Sequence, residues 1–300
     1  MTPAQLSRTV LHTVRCAAQS GELEIPAPQG FELPQRLVVE APPRRGSGDY
    51  SVSVAFQVAK AAGMAPYDVA RVLQARLAEQ EGVRSVEIAG GGFLNVTLDD
   101  RARAALVAAL ADSAGEKTAN EATANEATAN EATANEAIVN EATANDAPAA
   151  DIARWSAVTG DAPAALAVRT ARSSPLFHVQ YAHARTRALS RNARDLGFHS
   201  DAYAAGAERE SPYGTRARAL LALLADHRRV SEQADPARHA RHLVAVGDAF
   251  FDFHDDCPPL PGGDEKPGAA HRARLALVEA TGAVLAGGLS QLGVTAPAHL

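Results

Sequence analysis

The chain reads as two folded parts of different class: an α+β N-terminal domain, with a small antiparallel sheet and helices, joined by a low-complexity tether to an all-α helical bundle. Three observations predict this. Residues 83–98 alternate apolar and polar side chains on either side of Gly90-Gly91-Gly92, the pattern of a hairpin. Residues 118–147 repeat Thr-Ala-Asn-Glu-Ala with small lapses such as Ile138-Val139. Beyond them, leucine-rich segments open at proline-bearing caps, Ser211-Pro212 and Asp235-Pro236. The domains are therefore expected at residues 1–114 and 151–300, with the tether at 115–150.

In the first part, Thr2 or Pro3 opens a helix through Ala18 that aligns Leu6, Val10 and Val14 on one side. Leu37–Ala41 follows as a strand ended by two prolines. A second helix is expected from Asp49 through Lys60 to Gly63. Pro66 starts a third, which carries Val69, Val72, Leu73 and Leu77 inward before Gly82. The hairpin then pairs Val83–Ala89 with Phe93–Leu98.

The repeat cannot build a core. Five residues advance a helix by about 500°, so successive repeats rotate by about 140° and no apolar stripe forms. Alanine and glutamate tolerate helix whereas threonine and asparagine oppose it, which predicts a flexible or partly helical acidic tether. Its six acids, Glu121, Glu126, Glu131, Glu136, Glu141 and Asp146, equal the whole net charge of −6. Residues 1–117 carry 12 basic and 13 acidic side chains, and residues 151–300 carry 17 and 16. The acidic total therefore does not exclude a nucleic-acid partner, and any affinity for one must be local.

In the second part, Pro175-Leu-Phe-His-Val-Gln-Tyr-Ala-His-Ala-Arg-Thr-Arg187 is the most informative stretch. On a helix Tyr181 shares a face with Arg185, and His183, Arg187, Arg191 and Arg194 fall along what reads as an adjoining stripe. An arginine stripe with an aromatic edge can hold phosphates through bidentate contacts and stack an unpaired base. A solvated basic helix with Tyr181 half in the core fits the same residues. Three further helices are expected: one after Ser211-Pro212 with Leu220, Leu221, Leu223 and Leu224, one from Asp235-Pro236 to about Phe253, and a last one from Ala269 or Ala270.

Tyr181-Ala-His-Ala-Arg185 resembles the anticodon-binding helix of arginyl-tRNA synthetases. Gly48-Asp-Tyr50, Val54-Ala-Phe-Gln-Val-Ala-Lys60 and Ile88-Ala-Gly-Gly-Gly-Phe-Leu-Asn95 resemble motifs of the N-terminal tRNA-binding domain of the same family. Asp151-Ile-Ala-Arg154 is similar to the Asp-Ala-Leu-Arg signature of its helical anticodon-binding (DALR) domain, and Arg272–Thr281 with the tail to Pro297 resembles its closing helix. The resemblance implies D-loop contacts at Phe93 and Asn95, and anticodon contacts at Tyr181, His183, Arg185 and Arg187. Gly91 stands where the family usually has proline, which is expected to loosen the turn.

In full synthetases of this class a catalytic domain lies between these regions, with a His-x-Gly-His signature and a Lys-Met-Ser-Lys-Ser-like loop. Neither motif occurs in this sequence, and its three lysines, Lys60, Lys117 and Lys266, lie in no such loop. The resemblance thus implies a protein that binds tRNA, with arginine-accepting tRNA as the expected ligand, and does not charge it. A tether of about 30 residues spans roughly 30 Å on average, enough for two weak sites to act together. A trans-acting role beside a separate synthetase or another aminoacyl-tRNA-using enzyme is the alternative.

Other chemistries find little support. No Gly-Lys-Ser/Thr follows Gly90-Gly91-Gly92, so it is not a phosphate loop. Asp252, His254, Asp255, Asp256 and Cys257 read as a helix end, and His239 and His242 lack a third ligand, so no metal and no cofactor are expected. Cys16 and Cys257 form no framework. No apolar run is read as membrane-spanning and no leader is read at the start, so a cytoplasmic location is expected.

Overall fold

A computed structural model describes residues 1–23, 37–40, 42, 47–112, 148–170, 173–204 and 211–300. The repeat tether lies outside the described residues. The chain divides into two compact units, Met1–Leu106 and Val107–Leu300.

In the first unit, helix α1 (Pro3–Gln19) starts at a capping box: Thr2 Oγ1 accepts from the Gln5 backbone N–H, and the Gln5 side chain accepts from the Thr2 N–H. Leu6, Val10 and Val14 are fully buried. The sheet has the order β1 (Val39–Glu40), β2 (Tyr50–Val52), β4 (Phe93–Leu98), β3 (Val83–Ala89), antiparallel throughout. Helices α2 (Val54–Ala62) and α3 (Pro66–Ala78) complete the core with Val54, Val58, Val69, Leu73 and Leu77.

Two expectations need correction here. The segment expected to be helical from Asp49 begins as a strand, because Tyr50, Ser51 and Val52 pair with Val96, Asn95 and Leu94 and helix starts only at Val54. Long-range pairing overrides local propensity. A helix over residues 100–112, which the sequence reading did not anticipate, follows the hairpin.

The Gly48-Asp49-Tyr50 motif has a structural explanation. Gly48 has φ +101, and a Cβ there would lie 3.0 Å from the Val96 carbonyl oxygen. Asp49 accepts from the Leu98 N–H at 2.7 Å and pairs at 2.8 Å with Arg103, itself almost wholly buried. The pair ties the start of β2 to helix 100–112.

The second unit holds α5 (Pro148–Thr159), α6 (Pro163–Leu166), α7 (Pro175–Asp195), α8 (Thr215–Ser231), α9 (Pro236–Asp256) and α10 (Ala269–Gln291), with α4 denoting residues 100–112. Helix α7 packs against α9 and α10, and α8 packs against α9. Asp235 caps α9 as expected. Ser211-Pro212 does not cap α8, whose N-cap is Gly214, without a side-chain hydrogen bond. Helix α10 is long and apolar enough to cross a membrane by length and composition alone, but 67% of that window is buried inside the unit. It is buried on most sides because it packs against α7, α8 and α9.

Candidate nucleic-acid interface

Helix α7 begins at Ser174, whose hydroxyl accepts from the Phe177 N–H at 3.2 Å. From its first turns rise Phe177 and Tyr181, four apart and nearly parallel, with ring centroids 5.9 Å apart and an interplanar angle of 8°. Phe251 of α9 adds a third near-parallel ring, 5.6 Å from Tyr181 at 17°. Tyr181 stays 39% exposed and both phenylalanines are half-buried. Cations flank the rings. The Arg169 guanidinium lies 5.6 Å from the Phe177 centroid, and Arg185 donates to His254 Nε2 at 3.3 Å. An exposed aromatic surface bordered by guanidinium groups can stack unpaired bases and hold the phosphates between them.

The other two expected anticodon residues lie elsewhere on α7. Two residues turn a helix by about 200°, so the stripe beginning at His183 is nearly opposite Tyr181 rather than adjoining it. His183 is 6% exposed, and its Nδ1–H donates to the Pro297 carbonyl at 2.9 Å. Burial pushes its pKa below the usual histidine value; the hydrogen bond to the Pro297 carbonyl opposes the shift and the nearby Arg187 adds to it. Arg187 is exposed, and Arg191 donates to the Ala298 carbonyl at 3.4 Å. This face of the helix holds the tail.

The tail is fixed a second time by Asp151, which is fully buried. Asp151 accepts from Gln180 Nε2 at 3.0 Å and from the Thr295 N–H at 3.1 Å, and its carboxylate also accepts from the Thr295 hydroxyl. Gln180 donates in addition to the Thr295 carbonyl at 3.0 Å. One carboxylate thus joins α5, α7 and residues 295–297.

In the first unit, Phe93 opens β4 directly after the turn and is 42% exposed. Asn95 is two residues on in the same strand but only 3% exposed, and among the described residues its Oδ1 has no hydrogen-bond partner. The turn is tighter than its glycines suggested. Gly90 and Gly91 have φ +51 and +78, and the Gly92 N–H donates to the Ala89 carbonyl at 3.2 Å. Positive φ at both central residues is characteristic of a type I′ turn, here within the three-residue loop between the paired Ala89 and Phe93. Proline, held near −65°, cannot occupy Gly91 in this conformation.

Among the described residues no group of three or more histidine, cysteine or acidic side chains is placed to hold a metal ion. His239 and His242 are buried and stand against His227 with ring centroids 5.3 and 5.6 Å away.

Known proteins match both regions. Residues 12–98 fit the model of the arginyl tRNA synthetase N-terminal domain, and residues 179–300 fit that of the DALR anticodon binding domain. The chain joins an arginyl-tRNA synthetase N-terminal domain to a DALR anticodon-binding domain. The arginine–tRNA ligase of Kineococcus radiotolerans is 46% identical over 114 residues, which cover 38% of this chain and 20% of that enzyme. The chain therefore matches about a fifth of the length of this curated relative. A solved structure provisionally named as an arginyl-tRNA synthetase of Campylobacter jejuni aligns with a TM-score of 0.39 at 15% identity, over 53% of this chain and 35% of that one.

The DALR match contains Tyr181, His183, Arg185 and Arg187, and also Phe251. It starts after Asp151, although Asp151 is built into the same helical unit. Arg169, Phe177 and Phe251 were missed as site residues because their relation to Tyr181 is a matter of packing: α9 is about 70 residues away in sequence. The one available signal was Phe177, four residues before Tyr181.

Proposed function

We propose that this protein binds tRNA, with arginine-accepting tRNA as the preferred ligand, and does not aminoacylate it. The observation that carries the reading is the near-parallel array of Phe177, Tyr181 and Phe251 with Arg169 and Arg185 at its border, on a DALR anticodon-binding domain. An anticodon loop offers unpaired bases and closely spaced phosphates, which such a surface suits. The N-terminal domain contributes a second contact at the D-loop corner through Phe93, with Asn95 supporting the strand that presents it. Arg185 and Arg187 supply charge at the anticodon, Tyr181 supplies the stacking face, and His183 shapes the site by holding the tail.

Residues 99–178 separate the two matched domains, and the repeat at 118–147 fills over a third of that interval. A repeat of alanine, threonine, asparagine and glutamate offers no preorganised charge for phosphoryl chemistry. The two domains, taken as residues 1–114 and 151–300, act as a bivalent grip with the repeat as tether. We place the protein in the cytoplasm with its ligand.

The test is a gel shift with arginine-accepting tRNA across a salt series, beside ATP–pyrophosphate exchange with arginine. A salt-dependent shift that is weaker for an unrelated tRNA is expected, with no exchange above background. Absence of any shift overturns binding, equal affinity for both tRNAs overturns the preference, and clear exchange overturns the non-catalytic reading. Capture of a separate synthetase by the full chain together with tRNA would establish a trans-acting role.

A further inference from the structure

We propose that Phe56 is a positioning residue of the hairpin-turn RNA contact: it and Phe93 form one composite surface that receives a single unpaired nucleobase. Lys60 and Arg71 meet the neighbouring phosphates. This deepens the tRNA-binding reading and rests on it.

Phe56 lies on α2, far from the hairpin in sequence, and an aromatic ring on a helix beside a sheet belongs by default to the core. It is instead 39% exposed, and its ring meets that of Phe93 edge to face, with centroids 5.0 Å apart and an interplanar angle of 61°. Edge-to-face contact aims the positive rim of one ring at the negative face of the other and so fixes their mutual angle. The pair is two exposed rings that orient each other.

The backbone is built around this contact. A Cβ at Gly92 would lie 3.0 Å from Phe56 Cζ and 3.1 Å from Pro66 Cβ, although the φ of Gly92 is not one that demands glycine. Space for the Phe56 ring is therefore what excludes a side chain there. The type I′ turn just before it, with Gly90 and Gly91 at positive φ, sets the direction in which Phe93 leaves the hairpin.

Charge marks the occupant. Lys60 stands one helical turn after Phe56 on α2, and Arg71 one turn after the exposed Tyr67 on α3. Both cations are exposed, and among the described residues neither makes a hydrogen bond or ion pair. Exposed rings on elements that also carry unneutralised cations fit a base with its phosphates better than an apolar peptide.

The experiment uses the full chain and the tRNA that it shifts. Phe56→Leu and Phe93→Leu are each expected to weaken binding about five- to tenfold, with the double variant little weaker than either single one. Phe56→Tyr should restore affinity to within about twofold, since it keeps the ring edge. Lys60→Gln should lower the slope of log affinity against log salt by about 1. Thermal melting of each variant separates lost contact from lost fold; if Phe56→Leu does not fold, the Tyr and Lys60 variants carry the test. Unchanged binding by folded Phe56→Leu, additive losses in the double variant, or an unaltered slope for Lys60→Gln overturns the inference while wild-type binding leaves the function intact. Failure of the wild type to bind any tRNA overturns the function itself.

Discussion

Tyr181 keeps 39% of its surface exposed while lying close to two phenylalanine rings, so it is held without being hidden. The arrangement limits its motion before a ligand arrives, which lowers the entropy lost on binding. His242 is the opposite case. Burial pushes its pKa down from 6.5 to about 4; Asp226 opposes the shift, whereas His239, Arg229 and Arg238 deepen it. Because the folded-state pKa lies below the unfolded one, the unfolded chain takes up the proton first. Stability from this residue is therefore complete above about pH 6.5 and lost as pH falls toward 4, by about 3 kcal/mol at the acid limit. Urea denaturation of the wild type against His242→Gln should show the variant losing less stability over that interval.

At the scale of elements, one turn and one tail decide what the helices and strands present. Gly91 at φ +78 belongs to a turn that proline cannot form. Gly91→Pro, which would restore the residue common in the family, should therefore destabilise the first unit by more than about 1 kcal/mol in thermal melts and weaken tRNA binding. In the second unit, Asp151 is the shared acceptor for Gln180 and Thr295. Asp151→Ala takes the acceptor from the Thr295 N–H and hydroxyl and from one N–H of the buried Gln180, which keeps its bond to the Thr295 carbonyl, and should cost about 2–3 kcal/mol. Faster amide hydrogen exchange over residues 295–299, with little change in α8, would place the loss at the tail.

For the whole molecule, two surfaces in separate units are proposed to engage one ligand. If they act independently, Phe93→Leu should weaken tRNA binding by about 1–1.4 kcal/mol and Tyr181→Leu by about 1–3 kcal/mol, and their effects should add to within about 0.5 kcal/mol. Titration of tRNA with both single variants and the double variant measures this directly. Strong non-additivity between the two units would mean that they do not contact the ligand as independent sites. The contrast with Phe56 and Phe93, which touch and should couple, makes the additivity informative.

The sequence by itself determined the division into an α+β part and a helical part, the hairpin with its boundaries, the capped starts of α1 and α9, and the family of both domains. Those features depend on local patterns: period-two alternation, cap residues, and motifs read in line. Tertiary structure decided the rest. Strand pairing turned Tyr50–Val52 away from helix, and the bundle's packing made α10 a core helix despite its membrane-like composition. At the sites, the family resemblance pointed to Tyr181 and Phe93. It could not tell that His183 faces the tail and Asn95 the interior, nor bring Phe251 to Tyr181 and Phe56 to Phe93. Such neighbours lie tens of residues apart along the chain, and only the packing of one element on another puts their rings together.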